Sequence, residues 1–179
     1  MKEIEILNNG GIILYPTDTI WGLGCDATNI KAIEKIISLK GRDSSKNLII
    51  LVSDIEMLEN YIEFLPSQAL TLLKQYETPL TIIYPKSKNL PSILSQDQSI
   101  GIRIPKHAYC QELIRNLKRP IVSTSANISK EPSPKSFKEI SMEIKNGVDF
   151  IAEVEQEKES SQASSIFKIT LEGETIQIR

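Results

Sequence analysis

The sequence predicts a single-domain α/β fold, a twisted, open, mixed sheet flanked by helices, over all 179 residues. Three observations carry this. Short apolar runs bounded by Gly and Pro alternate with segments whose apolar residues recur at helical spacing. Strands separated by helices build sheets that are covered on both faces. The last two apolar runs are joined by the short "LEGET" segment, which reads as a hairpin and makes the sheet mixed rather than parallel.

In order, "GIILYP" (Gly11 to Pro16) reads as a buried strand. Asn29 can cap a helix with Ile33, Ile36 and Ile37 on one face, Lys40 in its last turn and Gly41 just beyond. "LIILVS" (Leu48 to Ser53) is a second strand, and Asp54 can cap a helix carrying Ile55, Leu58 and Ile62. Pro66 and Ser67 open a helix through Tyr76, followed by strands Leu80–Pro85 and Ile100–Pro105. A helix around Tyr109–Leu117 leads into strand Pro120–Ser125, and a helix is expected from about Ser136 to Lys145. Strands near 148–152, 165–170 and 174–178 complete the sheet. The hydrophilic Glu153–Ser164 segment reads as a mobile loop, since too little chain follows it to form a second core.

Hydrophobic residues make up 40% and charged residues 25% of the chain, as in soluble globular proteins. No apolar run approaches the roughly 20 residues of a membrane span. Met1–Gly10 lacks the basic start and long apolar core of a signal peptide. Cys25 and Cys110 are too few for a disulfide framework or a thiolate metal site, so a cytoplasmic location is expected. A net charge of -2 argues against a dedicated nucleic-acid binder. Charge is uneven, however: "KGRDSSK" is basic and "AEVEQEKES" acidic, which suits a small anionic ligand.

The polar residues that carry chemistry collect where strands end, as ligand sites do in open α/β sheets. "YPTDTIWGLGCDA" (Tyr15 to Ala27) spends about a dozen residues on hydroxyls and glycines where a reversal needs two or three. Lys40, Arg42 and Lys46 set three cations at a helix end, either a solvated loop or a phosphate clamp. Arg103 interrupts the apolar alternation of its strand and therefore needs an anion, either a structural acid or a substrate carboxylate. "STSANIS" (Ser123 to Ser129) offers hydroxyls and an amide just past a strand. The chain has neither a Gly-x-x-x-x-Gly-Lys-Ser/Thr loop nor a full Gly-x-Gly-x-x-Gly. His107 is the lone histidine and reads as a helix-start residue. With no evident nucleophile or base, catalysis should act by positioning and charge stabilisation, which suits phosphoryl and nucleotidyl transfer.

Taken in order, these residues resemble the YrdC/Sua5 family of L-threonylcarbamoyladenylate synthases, nearly along the whole chain. "YPTDTIWGLG", "KGR", "PLTIIYP", "IGIRIP" and "STSANISKEPSP" carry the resemblance, with Lys40, Arg42, Ser125 and Asn127 forming the family's Lys-x-Arg…Ser-x-Asn signature. The chain departs from the family at "YETPLT", Asn47, Leu51, Lys130 and "SQASSIFKI". The resemblance implies a YrdC-like catalytic domain over 1–179 with its ligands in a concave basic cleft. It implies that L-threonine and bicarbonate form a carbamate that attacks the α-phosphate of ATP, releasing pyrophosphate. The product serves the N6-threonylcarbamoyladenosine modification at position 37 of tRNAs reading ANN codons.

Residue by residue, the resemblance places threonine at Thr19, Arg103 and Ser123, and ATP at Lys40, Arg42, Lys46, Ser99, Ser125, Ser133 and Arg179. The catalytic set is Lys40, Arg42, Ser125 and Asn127. Mg2+ is expected with ATP and without protein side-chain ligands. Implied partners are the small substrates, a transient hand-over to the tRNA threonylcarbamoyl-transferase machinery and a weak tRNA contact. The alternatives are a YrdC-like RNA-binding module and a carbamoyl-adenylate-forming module without threonine specificity.

Overall fold

Ile13-Leu14-Tyr15, apolar and wholly buried, forms strand β1 (Ile13–Tyr15) and turns back through residues 16–21 into β2 (Gly22–Gly24). The computed structural model describes residues 2–43, 45–159 and 163–179. A short helix, α1 (Lys2–Asn8), precedes β1; it buries Leu7, and Tyr109 anchors it through a 2.9 Å hydrogen bond to Glu3. Neither α1 nor β2 follows from hydrophobic periodicity.

Helix α2 (Ile30–Leu39) begins at Asn29, whose side chain accepts from the Ala32 amide. It ends as expected: Gly41 takes φ +54, a left-handed conformation open to glycine, and the Arg42 amide reaches back to the Ile37 carbonyl at 2.9 Å. Strand β3 (Ile49–Leu51) follows, then α3 (Ile55–Glu59), capped by Asp54. This helix is shorter than expected. Ile62 lies beyond its end, in an isolated bridge to Ser87.

The chain continues with α4 (Ser67–Gln75), β4 (Leu80–Tyr84), β5 (Ile100–Arg103) and α5 (Ala108–Leu117). His107 is the N-cap of α5, where its Nδ1 accepts from the Cys110 amide. After β6 (Ile121–Ser125) the expected helix over 136–145 is interrupted. A single 3-10 turn, Phe137–Glu139, gives way to extended Ile140, and Ser141 then caps a new short helix α6 (Met142–Asn146). Strands β7 (Phe150–Ile151), β8 (Ser165–Ile169) and β9 (Thr175–Gln177) complete the chain. Within the 153–164 loop, residues 160–162 lie outside the described residues.

Among the described residues the strands form one nine-stranded mixed sheet in the order β7-β1-β2-β6-β3-β5-β4-β8-β9. Parallel pairs join β1 to β7, β3 to β5 and β4 to β8, and the other neighbours are antiparallel. The register aligns Leu51, Arg103, Thr81 and Ile166 across four strands. It likewise aligns Ser123, Ile49 and Gly101 one pleat further along. Residues paired in register point to the same face, so hydroxyls and one guanidinium share a surface with aliphatic side chains.

Candidate functional site

That surface carries a cavity of about 280 Å³, lined by Thr19, Arg42, Arg103, Ser123, Ser125, Ser133 and Arg179 of the residues anticipated from sequence. Three of these are arginines, and no Asp or Glu of the described residues joins them in the lining. The cavity is therefore suited to anions. The remaining four anticipated residues do not line it. Lys40 and Asn127 lie behind Ser125, Lys46 offers its carbonyl to Arg42 Nε at 3.4 Å, and Ser99 supports Asn47. Aliphatic Ile20, Leu48, Ile49 and Ile166 belong to the lining as well, together with Asn47 and Ser164. None of these six was singled out in advance as a site residue. Once the register is known, the alternation that puts Arg103 on this face would have indicated Ile49 and Ile166.

Arg103 is 3% exposed and makes two contacts with the 16–21 turn. Its Nη1 donates to Thr19 Oγ1 at 3.0 Å, and its Nη2 lies 3.5 Å from Asp18 Oδ1. Arg103 thus has an acid nearby and still lines the cavity, with its buried Nε making no hydrogen bond. The threonine pair is ordered. Thr17 Oγ1 donates to the Ile20 carbonyl at 2.7 Å, so across the 2.9 Å contact between the two hydroxyls Thr19 donates to Thr17. The turn is thereby a rigid mount for Thr19, which answers why it is built from small hydroxyl residues. Trp21 packs into the core, 3% exposed, with its ring 4.8 Å from that of Phe137.

Arg42 is half-buried. Its Nη2 donates to the Asn47 carbonyl at 3.0 Å, and burial pushes its guanidinium below the ordinary value. On the opposite side, Arg179 Nε donates to the Ser164 carbonyl at 3.0 Å, and the Ser164 hydroxyl meets that of buried Thr81 at 2.9 Å. Main-chain bonds between Ile166 and Arg179 hold this guanidinium at the cavity. Cys25 and Cys110 are free and buried, and burial pushes both thiols well above their usual range, so neither is poised as a nucleophile. Among the described residues no group of three or more His, Cys, Asp or Glu side chains is placed to hold a metal ion, and no helix is long and apolar enough to cross a membrane.

Asp97 steadies the floor beneath Asn47. It accepts from the Ser99 and Ser95 hydroxyls at 2.7 Å each and from Asn47 Nδ2 at 3.2 Å, and these bonds hold its carboxyl far below the usual carboxylate range. A depressed folded pKa contributes stability above the unfolded value that is lost as pH falls. Asp97→Asn should therefore be less stable than the parent at neutral pH, with the gap closing below about pH 4. Thermal melts across that range check this.

A model of the Sua5/YciO/YrdC family, described as "Telomere recombination", matches residues 5–179. A protein of Psychromonas ingrahamii named threonylcarbamoyl-AMP synthase is 37% identical over 147 residues, covering 80% of this chain and 77% of that protein. The structure of P. abyssi Sua5 complexed with L-threonine superposes with a TM-score of 0.88 at 27% identity, covering 99% of this chain and 52% of that one. E. coli YciO superposes with a TM-score of 0.84 at 26% identity, covering 99% of this chain and 86% of that one. The chain thus spans about half the length of the archaeal Sua5 structure. On the match over residues 5–179 and the shared fold, the chain belongs to the Sua5/YciO/YrdC family.

Proposed function

We propose that the chain is an L-threonylcarbamoyl-AMP synthase, a nucleotidyltransferase acting on ATP, L-threonine and bicarbonate. The observation that carries this reading is one cavity in which Arg103, Thr19 and Ser123 share walls with Arg42, Ser125, Ser133 and Arg179. The first group suits an amino acid. The Arg103 fork matches a carboxylate, and the Thr19 and Ser123 hydroxyls can receive polar groups of the same molecule. The second group suits a polyphosphate, with two guanidiniums approaching from opposite sides. The relatives named threonylcarbamoyl-AMP synthase, and the Sua5 solved with L-threonine, support the same assignment.

The chemistry needs little more than placement. A carbamate oxygen attacks the α-phosphorus, the bond to the bridging oxygen of the β-phosphate breaks, and pyrophosphate leaves with that electron pair. Arg42 and Arg179 offset the charge that builds on the phosphate oxygens, and the buried Arg103 holds the nucleophile in line. Magnesium would enter as the metal complex of ATP. The cavity wall supplies hydroxyls and guanidiniums rather than carboxylates, so no side chain is assigned to it. The mixed anhydride would pass to the machinery that makes N6-threonylcarbamoyladenosine in tRNA, in the cytoplasm and with at most a weak tRNA contact of its own.

Pyrophosphate release tests the reading. It is expected only when ATP, L-threonine and bicarbonate are all present, and release that persists without threonine overturns it. Carbamoyl phosphate should not replace threonine and bicarbonate. Tight tRNA binding with a steep salt dependence and no turnover would favour an RNA-binding module instead.

A further inference from the structure

We propose that Lys40 is a positioning residue: its buried ammonium latches the Ser125–Asn127 loop from behind, and its proton sets whether that loop holds the form that receives the nucleotide. The second half of this rests on the function proposed above. The first half stands on geometry alone.

Lys40 caps the end of α2 and is 1% exposed, yet it does not line the cavity that Arg42, two residues on, helps to form. An ammonium has three protons, and all three of its acceptors lie in one short loop. Nζ donates to the Ser125 carbonyl, to the Asn127 carbonyl at 2.6 Å and to Asn127 Oδ1 at 3.5 Å. The main chain grips the same segment, since the Ser129 amide donates to the Lys40 carbonyl at 2.8 Å. Asn127 carries the grip forward, donating through Nδ2 to the Ile128 carbonyl at 3.0 Å and the Glu131 carbonyl at 2.7 Å. The loop held in this way presents Ser125, and beyond it Ser133, to the cavity.

The loop faces the ammonium with carbonyl oxygens only. The charged group acting on it is Arg42, on its own segment, and the sign is repulsive. Burial first, and Arg42 second, lower the Lys40 pKa to about 8. A neutral amine keeps two protons and turns a lone pair towards an oxygen that had been its acceptor. Losing the proton to solvent therefore opens the latch at one of its contacts and frees the loop to shift. Trp21, the single tryptophan, reports such a shift. Its carbonyl accepts from the Ala126 amide at 3.1 Å within the latched loop, and its ring packs on Phe137 just downstream.

The test is Trp21 emission of the ligand-free protein against pH. The wild type should show a reversible transition with a midpoint near pH 8. Lys40→Met should remove the transition and give the high-pH emission throughout. Lys40→Arg, still charged, should remove it while keeping the low-pH emission. A wild type without the transition, or a transition that survives in Lys40→Met, overturns the proposal without reference to any variant's activity. In turnover, Lys40→Met should raise the ATP KM about tenfold or more and change the threonine KM less than about threefold, as expected for lost placement of one substrate. If that ATP effect appears while the ligand-free emission of Lys40→Met still follows the wild type, Lys40 acts by touching phosphate and the latch is wrong. If the emission behaves as expected but no variant or wild type releases pyrophosphate, the latch stands and the synthase reading falls.

Discussion

Replacing Arg103 with methionine is expected to raise the threonine KM by about a hundredfold or more while leaving ATP binding within about threefold. A hydrogen bond to a charged group contributes about 1.5–3 kcal/mol. A two-pronged contact with a carboxylate in a closed site therefore accounts for at least two orders of magnitude. The guanidinium is 3% exposed and shares its face with Thr81 and Leu51, so water has little room to substitute for it. Arg42 and Arg179 are untouched, which is why the nucleotide should be spared.

The same substitution should also destabilise the fold. Asp18, 3.5 Å from Arg103 and with its side chain 8% exposed, would lose this cation from its surroundings. Breaking a buried pair from one side costs about 3–5 kcal/mol. Asp18→Asn added to Arg103→Met should return much of the melting temperature and none of the threonine affinity. Pyrophosphate kinetics at varied threonine and at varied ATP, with a thermal melt of each variant, check both halves. Equal damage to the two substrates would contradict the separate roles.

Gly24→Ala should lower the melting temperature by about 2–12 °C. A methyl at Gly24 would lie 2.6 Å from the Tyr15 ring, 3.0 Å from Ile121 Cγ2 and 3.1 Å from the Val122 carbonyl oxygen. Tyr15 is fully buried, and the carbonyl belongs to a central strand, so neither can yield without moving the sheet. Overpacking of this kind costs about 1–3 kcal/mol, and each kcal/mol shifts a domain of this size by about 2–4 °C. Gly147→Ala is the useful contrast. Its methyl would come nearer still, 2.2 Å from Leu39 Cδ1, but that atom ends a flexible, partly exposed side chain that can swing aside. Calorimetry should find Gly147→Ala the milder change; the reverse ranking would refute this account.

Most of the sheet was legible because its strands are apolar runs punctuated by Gly and Pro. Strand β2 was not, since Gly-Leu-Gly has no strand propensity of its own. It is a strand because β1 and β6 flank it, and it is glycine-rich because the Tyr15 ring lies over it. Helix α1 is too short for periodicity to declare and depends on packing against β1 and α5. The break at Ile140 hides inside a helical spacing, and only the Ser141 cap betrays it.

At the site, residue types were readable and directions were not. Arg103 announced itself as a charge inside an apolar strand. Lys40 reads as part of a solvated loop or of a phosphate clamp, and its burial was not legible, because its long stem lets tertiary structure decide where the ammonium goes.

The cavity draws its walls from residues 17, 19, 20, 22, 42, 47–49, 103, 123–125, 133, 163, 164, 166 and 179. No stretch of chain much shorter than the whole holds them all. A growing polypeptide would therefore remain unable to bind until β8 and the residues after it have docked. An occupied cavity, in turn, would act as a clasp between segments more than 150 residues apart along the chain. Ligand should on this account slow hydrogen exchange at both ends of the clasp, at the amides that zip Ile166 to Arg179 and those that pair β1 with β2.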